Sequence, residues 1–227
     1  MDIAKAQVAV LVEHLYQELE LWHPVLRLRE AGANVLLVGP DTRLVYSSKL
    51  GYPARPDLSI DDVKAEDFDA VVIPGGFAPE GMRRHPAMIE FVREMDAQGR
   101  LIAAICHAGL VLASAQIARN RKLTCVSLVK DDVINAGANY VNEGLVIDHN
   151  IITSQLPSDL PVFGKAIVDY LSSNDVEPGA ARRLAPADGR KPSPVAYLEP
   201  VELIMGPRGR ASANYTTLAI AASGASA

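Results

Sequence analysis

LIAAICHAGLVL, residues 101–112, is the stretch on which the fold of this chain turns. An apolar run of strand character ends at Cys106-His107, and a small-residue segment of helical character begins with no linker between them. That pattern is a strand–turn–helix corner, in which a nucleophile sits in a strained backbone conformation with its side chain above the edge of a sheet. Ala103, Ala104, Ala108 and Gly109 are small where helix and strand must approach. The corner predicts Cys106 as a nucleophile. It also predicts an unusually acidic thiol, because the N–H groups and positive end of the following helix stabilise a thiolate. Cys125, in KLTCVS, is expected to be inert packing inside a short strand.

Working outward, strands and helices alternate. Residues 7–12 read as a buried strand, 18–31 as a helix stopped by Gly32, and 34–39 as the next strand. Residues 44–63 read as an irregular strand pair and turn broken by Pro53 and Pro56, and 70–73 resume the buried-strand pattern. A helix is expected over 86–98, with Pro86 suited to its first turn. Residues 145–147 and 151–154 flank Asp148-His149-Asn150 as a hairpin, and a last helix, 161–171, is expected to be capped by Ser158 or Asp159. Recurrent strands between helices imply an α/β protein with a mostly parallel sheet covered on both faces.

From Ser173 onward six of the fifteen prolines fall in 55 residues and the end is rich in Ala and Ser. The expected organisation is a catalytic domain over 1–172 and a Pro/Ala-rich extension over 173–227, with at most a short strand near 195–204. The 227 residues, 49% hydrophobic and 22% charged, suffice for one full core. A net charge of −5 and 5% aromatic residues give neither the basic surface nor the stacking platform of a nucleic-acid binder. No apolar run reaches the roughly 20 residues of a membrane span. Two cysteines and no secretion signal make a reducing cytoplasm the expected location.

Pro74-Gly75-Gly76 directly follows the strand ending at Ile73. Adjacent glycines let a backbone approach a ligand closely, so Gly76 N–H is a candidate oxyanion donor, with His107 N–H as the second. Strands ending at Ile73 and Ile105 should open on one crevice.

The motifs ELELWHP (18–24), GGFAPE (75–80), AICHAG (104–109) and KDDVINAGANYV (130–141), in that order, resemble the PfpI family of intracellular cysteine peptidases. That family is related to the parkinsonism-associated deglycase and to class I glutamine amidotransferases. The resemblance covers roughly residues 6–172. It implies a flavodoxin-like three-layer sandwich, Cys106 as nucleophile, His107 as its acid-base partner, and an oxyanion hole at Gly76 and His107. It further implies that Glu20 hydrogen-bonds the thiol and that Glu80 reaches the site from a neighbouring subunit. Substrate contacts are expected from Gly75 and Gln17.

The chemistry of Glu20 supports its assignment separately. A carboxylate beside a thiolate is repelled, so a close pair implies a carboxyl that keeps its proton and donates to sulfur. Glu18 reads as a first-turn acid favoured by the helix dipole. His14, His23, His85 and His149 read as structural or exposed, none with metal-ligand spacing. Two departures alter the pocket: Gln17 stands where relatives carry an acid, and Val126-Ser127 where they carry an aromatic residue and proline.

The expectation is therefore a cysteine-dependent hydrolase of a small-molecule carbonyl or a peptide, with peptidase and deglycase or glyoxalase-like activities open, and no cofactor or metal. The rival reading is a redox sensor or stress-response protein that uses oxidation of Cys106. A glutaminase is disfavoured because its triad needs a downstream His followed closely by an acid, and the histidine that follows the corner is His149. A His next to its nucleophile is awkward to orient from its own subunit. Glu80 of a partner in a homodimer or homohexamer is the expected orienter.

Overall fold

The computed structural model describes residues 2–173 and 183–189. In chain order the first half runs β1 (Gln7–Leu11), α1 (Glu18–Glu30), β2 (Asn34–Gly39), β3 (Tyr46–Ser47), β4 (Pro53–Ala54), β5 (Leu58–Ser59), β6 (Ala70–Ile73) and α2 (Ala78–Met82). The second half runs α3 (Pro86–Ala97), β7 (Leu101–Ile105), α4 (Gly109–Ser114), β8 (Lys122–Leu123), α5 (Lys130–Asn135), β9 (Asn139–Tyr140), β10 (Leu145–Asp148), β11 (Ile151–Ser154) and α6 (Leu160–Ser172). Seven strands form one sheet in the order β10-β11-β7-β6-β1-β2-β5. All its pairings are parallel except β10 with β11, the expected hairpin.

β1, β6 and β7 are buried at every position, as strands covered on both faces must be. On one side α1 packs on β2 and α6, and α6 packs on β11; α3 packs on β6, β7 and α4. The result is the three-layer, flavodoxin-like sandwich. α1 stops where expected: Gly32 takes φ +99°, and Gly32 N–H and Ala33 N–H return to the carbonyls of Arg29 and Leu28.

Several local expectations change. Asp159 precedes α6, but its carboxylate accepts from Leu156 N–H at 3.0 Å and caps no helix N–H. Cys125 lies beyond β8 and in no strand, although it is buried. The short helices α2 and α5 and the two-stranded β8–β9 sheet carry too few residues for a periodicity to show. The strand near 195–204 lies outside the described residues. The extension is not wholly separate from the core. Residues 183–189 lie against the ends of β1 and β2 remote from the crevice, where Leu184 N–H donates to Gln7 Oε1 (2.7 Å) and Asn34 Nδ2 to Leu184 O (3.1 Å). Ala187 N–H donates to Asp57 O at 2.9 Å, and Pro186 is buried.

Candidate active site

Three neighbouring strands, β1, β6 and β7, deliver the site from their carboxyl ends. Cys106 follows β7 directly and holds φ +63°, the left-handed conformation of a nucleophile elbow. Its turn, Cys106–Ala108, is a 3-10 segment that passes into α4. Gly109 is needed there, since a Cβ would stand 2.8 Å from Val133 Cγ2.

Gly75 and Gly76 follow β6. A Cβ on Gly75 would lie 2.5 Å from Glu20 Oε2 and 2.6 Å from Cys106 Cβ, so glycine alone lets the two side chains meet there. Gly76 takes φ +76°. Its N–H and that of His107, the two expected oxyanion donors, converge on the Cys106 sulfur.

Glu20 stands on the first turn of α1 and is fully buried. Oε2 accepts from Gly75 N–H at 2.8 Å; Oε1, which no nitrogen or hydroxyl reaches, is left for the contact with Cys106. Burial pushes the Glu20 carboxyl up to about 7, with Gly75 N–H pulling the other way.

The thiol departs from expectation. Burial, and then the Glu20 carboxylate, push Cys106 up to about 12 against the pull of the two N–H groups. The acidity predicted from a helix terminus fails because the sulfur sits within a 3-10 turn, next to a carboxyl and largely away from water. As a unit the pair loses one proton near neutrality and the second far above it, so the pair carries at most one negative charge at neutral pH. Cys125 is pushed up to about 11 by burial, in keeping with inert packing.

Glu80 meets His107 within the chain. Its Oε1 lies 2.9 Å from Nδ1 of His107 in the same chain. The 3-10 turn places the imidazole beside α2, which begins two residues after Gly76, so a carboxylate of the same chain reaches it. Phe77 meets the His107 ring edge-on, with centroids 5.6 Å apart and planes at 84°.

Gln17 and Gly75, expected to contact substrate, are both bonded within the chain. Gln17 Oε1 accepts Glu20 N–H at 2.8 Å and so caps α1. Gly75 spends its N–H on Glu20 and its carbonyl on Gln17 N–H (3.2 Å). Both hold Glu20 in place. Glu18 is more than a first-turn acid: Oε1 accepts from Ser48 Oγ and from Leu50 N–H (2.7 Å), tying the β3–β4 hairpin to α1. That hairpin is the strand pair and turn expected over 44–63; its tie to α1, the place of Phe77 and the Glu13–His85 pair (2.9 Å) were not anticipated. Gly51 was the available signal for a tight turn. A groove of about 600 Å³, lined by Glu13, Leu15, Tyr46, Phe77, Glu80 and His85 among others, opens beside the site.

Elbow, glycine pair, buried glutamate and His–Glu pair, set on this sheet, have a counterpart among known proteins: the DJ-1/PfpI family profile matches residues 6–170. The chain belongs to the DJ-1/PfpI family. A Pyrococcus abyssi protein named a deglycase is 37% identical over 165 residues, covering 73% of this chain and 99% of its own length. Deglycase PfpI of Pyrococcus furiosus is 34% identical over 165 residues, with 73% and 99% covered. A solved structure from Anabaena variabilis, a two-domain protein with DJ-1/ThiJ/PfpI-like and ferritin-like domains, superposes with a TM-score of 0.73 at 38% identity. That alignment covers 79% of this chain and 52% of the two-domain one. Among the described residues no helix of this DJ-1/PfpI protein is long and apolar enough to cross a membrane.

Proposed function

We propose that this chain is a cysteine-dependent enzyme that attacks carbonyl carbon through Cys106. The observation that carries the proposal is the convergence of Gly76 N–H and His107 N–H on a sulfur that already has a carboxyl on one side and a histidine next in sequence. As the S–C bond forms, the carbonyl π pair moves to oxygen and the thiol proton passes to Glu20, whose carboxyl titrates near neutrality. The two N–H groups are then available to the new oxyanion. His107, held through Nδ1 by Glu80, protonates that oxygen to give a hemithioacetal, moves its carbon-bound hydrogen as a proton to the adjacent carbonyl carbon so that a thioester with a neighbouring hydroxyl forms, and then activates water, which adds to the thioester and releases the Cys106 thiol and a 2-hydroxy acid.

The names of the relatives favour a deglycase-type substrate, a reactive dicarbonyl or its adduct on an amine, over a peptide. The pair His107–Glu80 favours turnover over a purely redox role, since oxidation of a thiol needs no oriented acid-base partner. The test is consumption of methylglyoxal, a methylglyoxal-modified amine and casein by wild type and Cys106→Ser. Wild type should consume the first two, and Cys106→Ser none. Wild type inert toward both carbonyls, or an unimpaired Cys106→Ser, would overturn the proposal.

A further inference from the structure

We propose that Lys49 is a specificity-determining residue that binds a carboxylate on the carbonyl substrate, so that dicarbonyls carrying a carboxylate are preferred over neutral ones. The inference rests on the carbonyl-directed reading of Cys106.

Lys49 stands at the tip of the β3–β4 hairpin, and the tip is built to hold it. Glu18 accepts from the residues on both sides of it, through Ser48 Oγ and Leu50 N–H. Lys49 N–H donates to Tyr16 O at 2.9 Å, Ser48 Oγ accepts from Tyr52 N–H at 2.7 Å, and Gly51 makes the turn with φ +88°. The loop that receives this tip is the loop that frames the site: Leu15 O accepts from Phe77 N–H (2.9 Å), and Tyr16 bridges Gly76.

From that anchored backbone the Lys49 ammonium reaches over the Phe77 ring, 5.4 Å from its centroid, and the same ring abuts His107. Its charge also acts on Glu20, drawing the carboxyl downward. The ammonium thus stands at the mouth of the site, within electrostatic reach of the reacting atoms. Among the described residues the lysine ion pairs are those of Lys64 with Glu66 and Lys165 with Asp169, and Lys49 is in neither. A carboxylate on the attacked dicarbonyl would meet a negative pair, Glu20 and Cys106, and Lys49 is the cation placed to offset it.

The test uses two alkylating agents that differ in one group. Iodoacetate and iodoacetamide each form an S–C bond as C–I breaks, iodide leaves and the thiol proton is lost; iodoacetate alone carries a carboxylate. Rates at Cys106, followed by peptide mass, are taken as a ratio and divided by the same ratio for N-acetylcysteine. Wild type in low salt should favour iodoacetate by about 5-fold on this scale, the worth of one close ion pair near water. Lys49→Met should return the ratio to that of the free thiol, Lys49→Arg should keep the preference, and added salt should shrink it. Equal ratios in wild type and Lys49→Met would overturn the proposal. In turnover, Lys49→Met should lower the ratio of kcat/KM for 4,5-dioxopentanoate, a dicarbonyl that carries a carboxylate, to kcat/KM for methylglyoxal. Should wild type turn over neither carbonyl while the alkylation preference stands, the functional reading falls and the carboxylate subsite survives.

Discussion

Glu20 is a carboxylic acid kept fully inside a protein, and its raised affinity for a proton has a measurable consequence for stability. Between its ordinary value of 4.5 and about 7 the folded chain holds a proton at Glu20 that the unfolded chain has released. Stability therefore falls as pH rises through that window and levels off above it. Glu20→Gln cannot titrate, so the stability difference between wild type and variant should change by about 3 kcal/mol from pH 4.5 to pH 8, measured by urea unfolding. Parallel pH profiles would contradict the assignment. Glu20 was legible because a carboxyl four residues before Pro24 matched a motif and because like charges repel. The direction of the Cys106 shift was not. Residue types announce a nucleophile elbow, but the balance between two N–H donors and loss of water depends on how deeply the sulfur sits, and only packing sets that depth.

At the scale of elements, long strands and helices were legible because their apolar periods run for a turn or more, and β2, β6 and β11 fall at the expected residues. The β3–β4 hairpin was legible as a strand pair and turn over 44–63, but its attachments and those of loop 15–17 were not. Their role comes from backbone hydrogen bonds to Gly75, Phe77 and Lys49, which leave no trace in side-chain pattern. The same holds for residues 183–189, whose receptor is the buried side chain of Gln7 and the backbone of Asp57. Chains ending at 173 and at 189 should both unfold cooperatively, because the seven-stranded sheet and its helices are complete by Ser172. The shorter should be less stable by about 2–3 kcal/mol, for hydrogen bonds worth about 1 kcal/mol each and the burial of Pro186. Identical unfolding midpoints would show the segment contributes nothing.

For the whole molecule the decisive contact is intramolecular. Cys106, the N–H groups of Gly76 and His107, Glu20, the His107 ring and Glu80 all come from one chain and gather at the carboxyl ends of adjacent central strands of one sheet. We infer that self-association is no requirement of the chemistry, against the expectation raised by a His adjacent to its nucleophile. Subunit complementation tests this most directly. Cys106→Ser and Glu80→Ala are prepared separately, the second with turnover lowered about 10² to 10⁴-fold for want of an oriented acid-base partner. They are then unfolded, mixed, refolded together and assayed beside wild type. A site completed within each chain predicts that the mixture shows the mean of the two variants and nothing more. Recovery of a sizeable share of wild-type turnover on mixing would mean that Glu80 of one chain serves His107 of another, and would contradict the account.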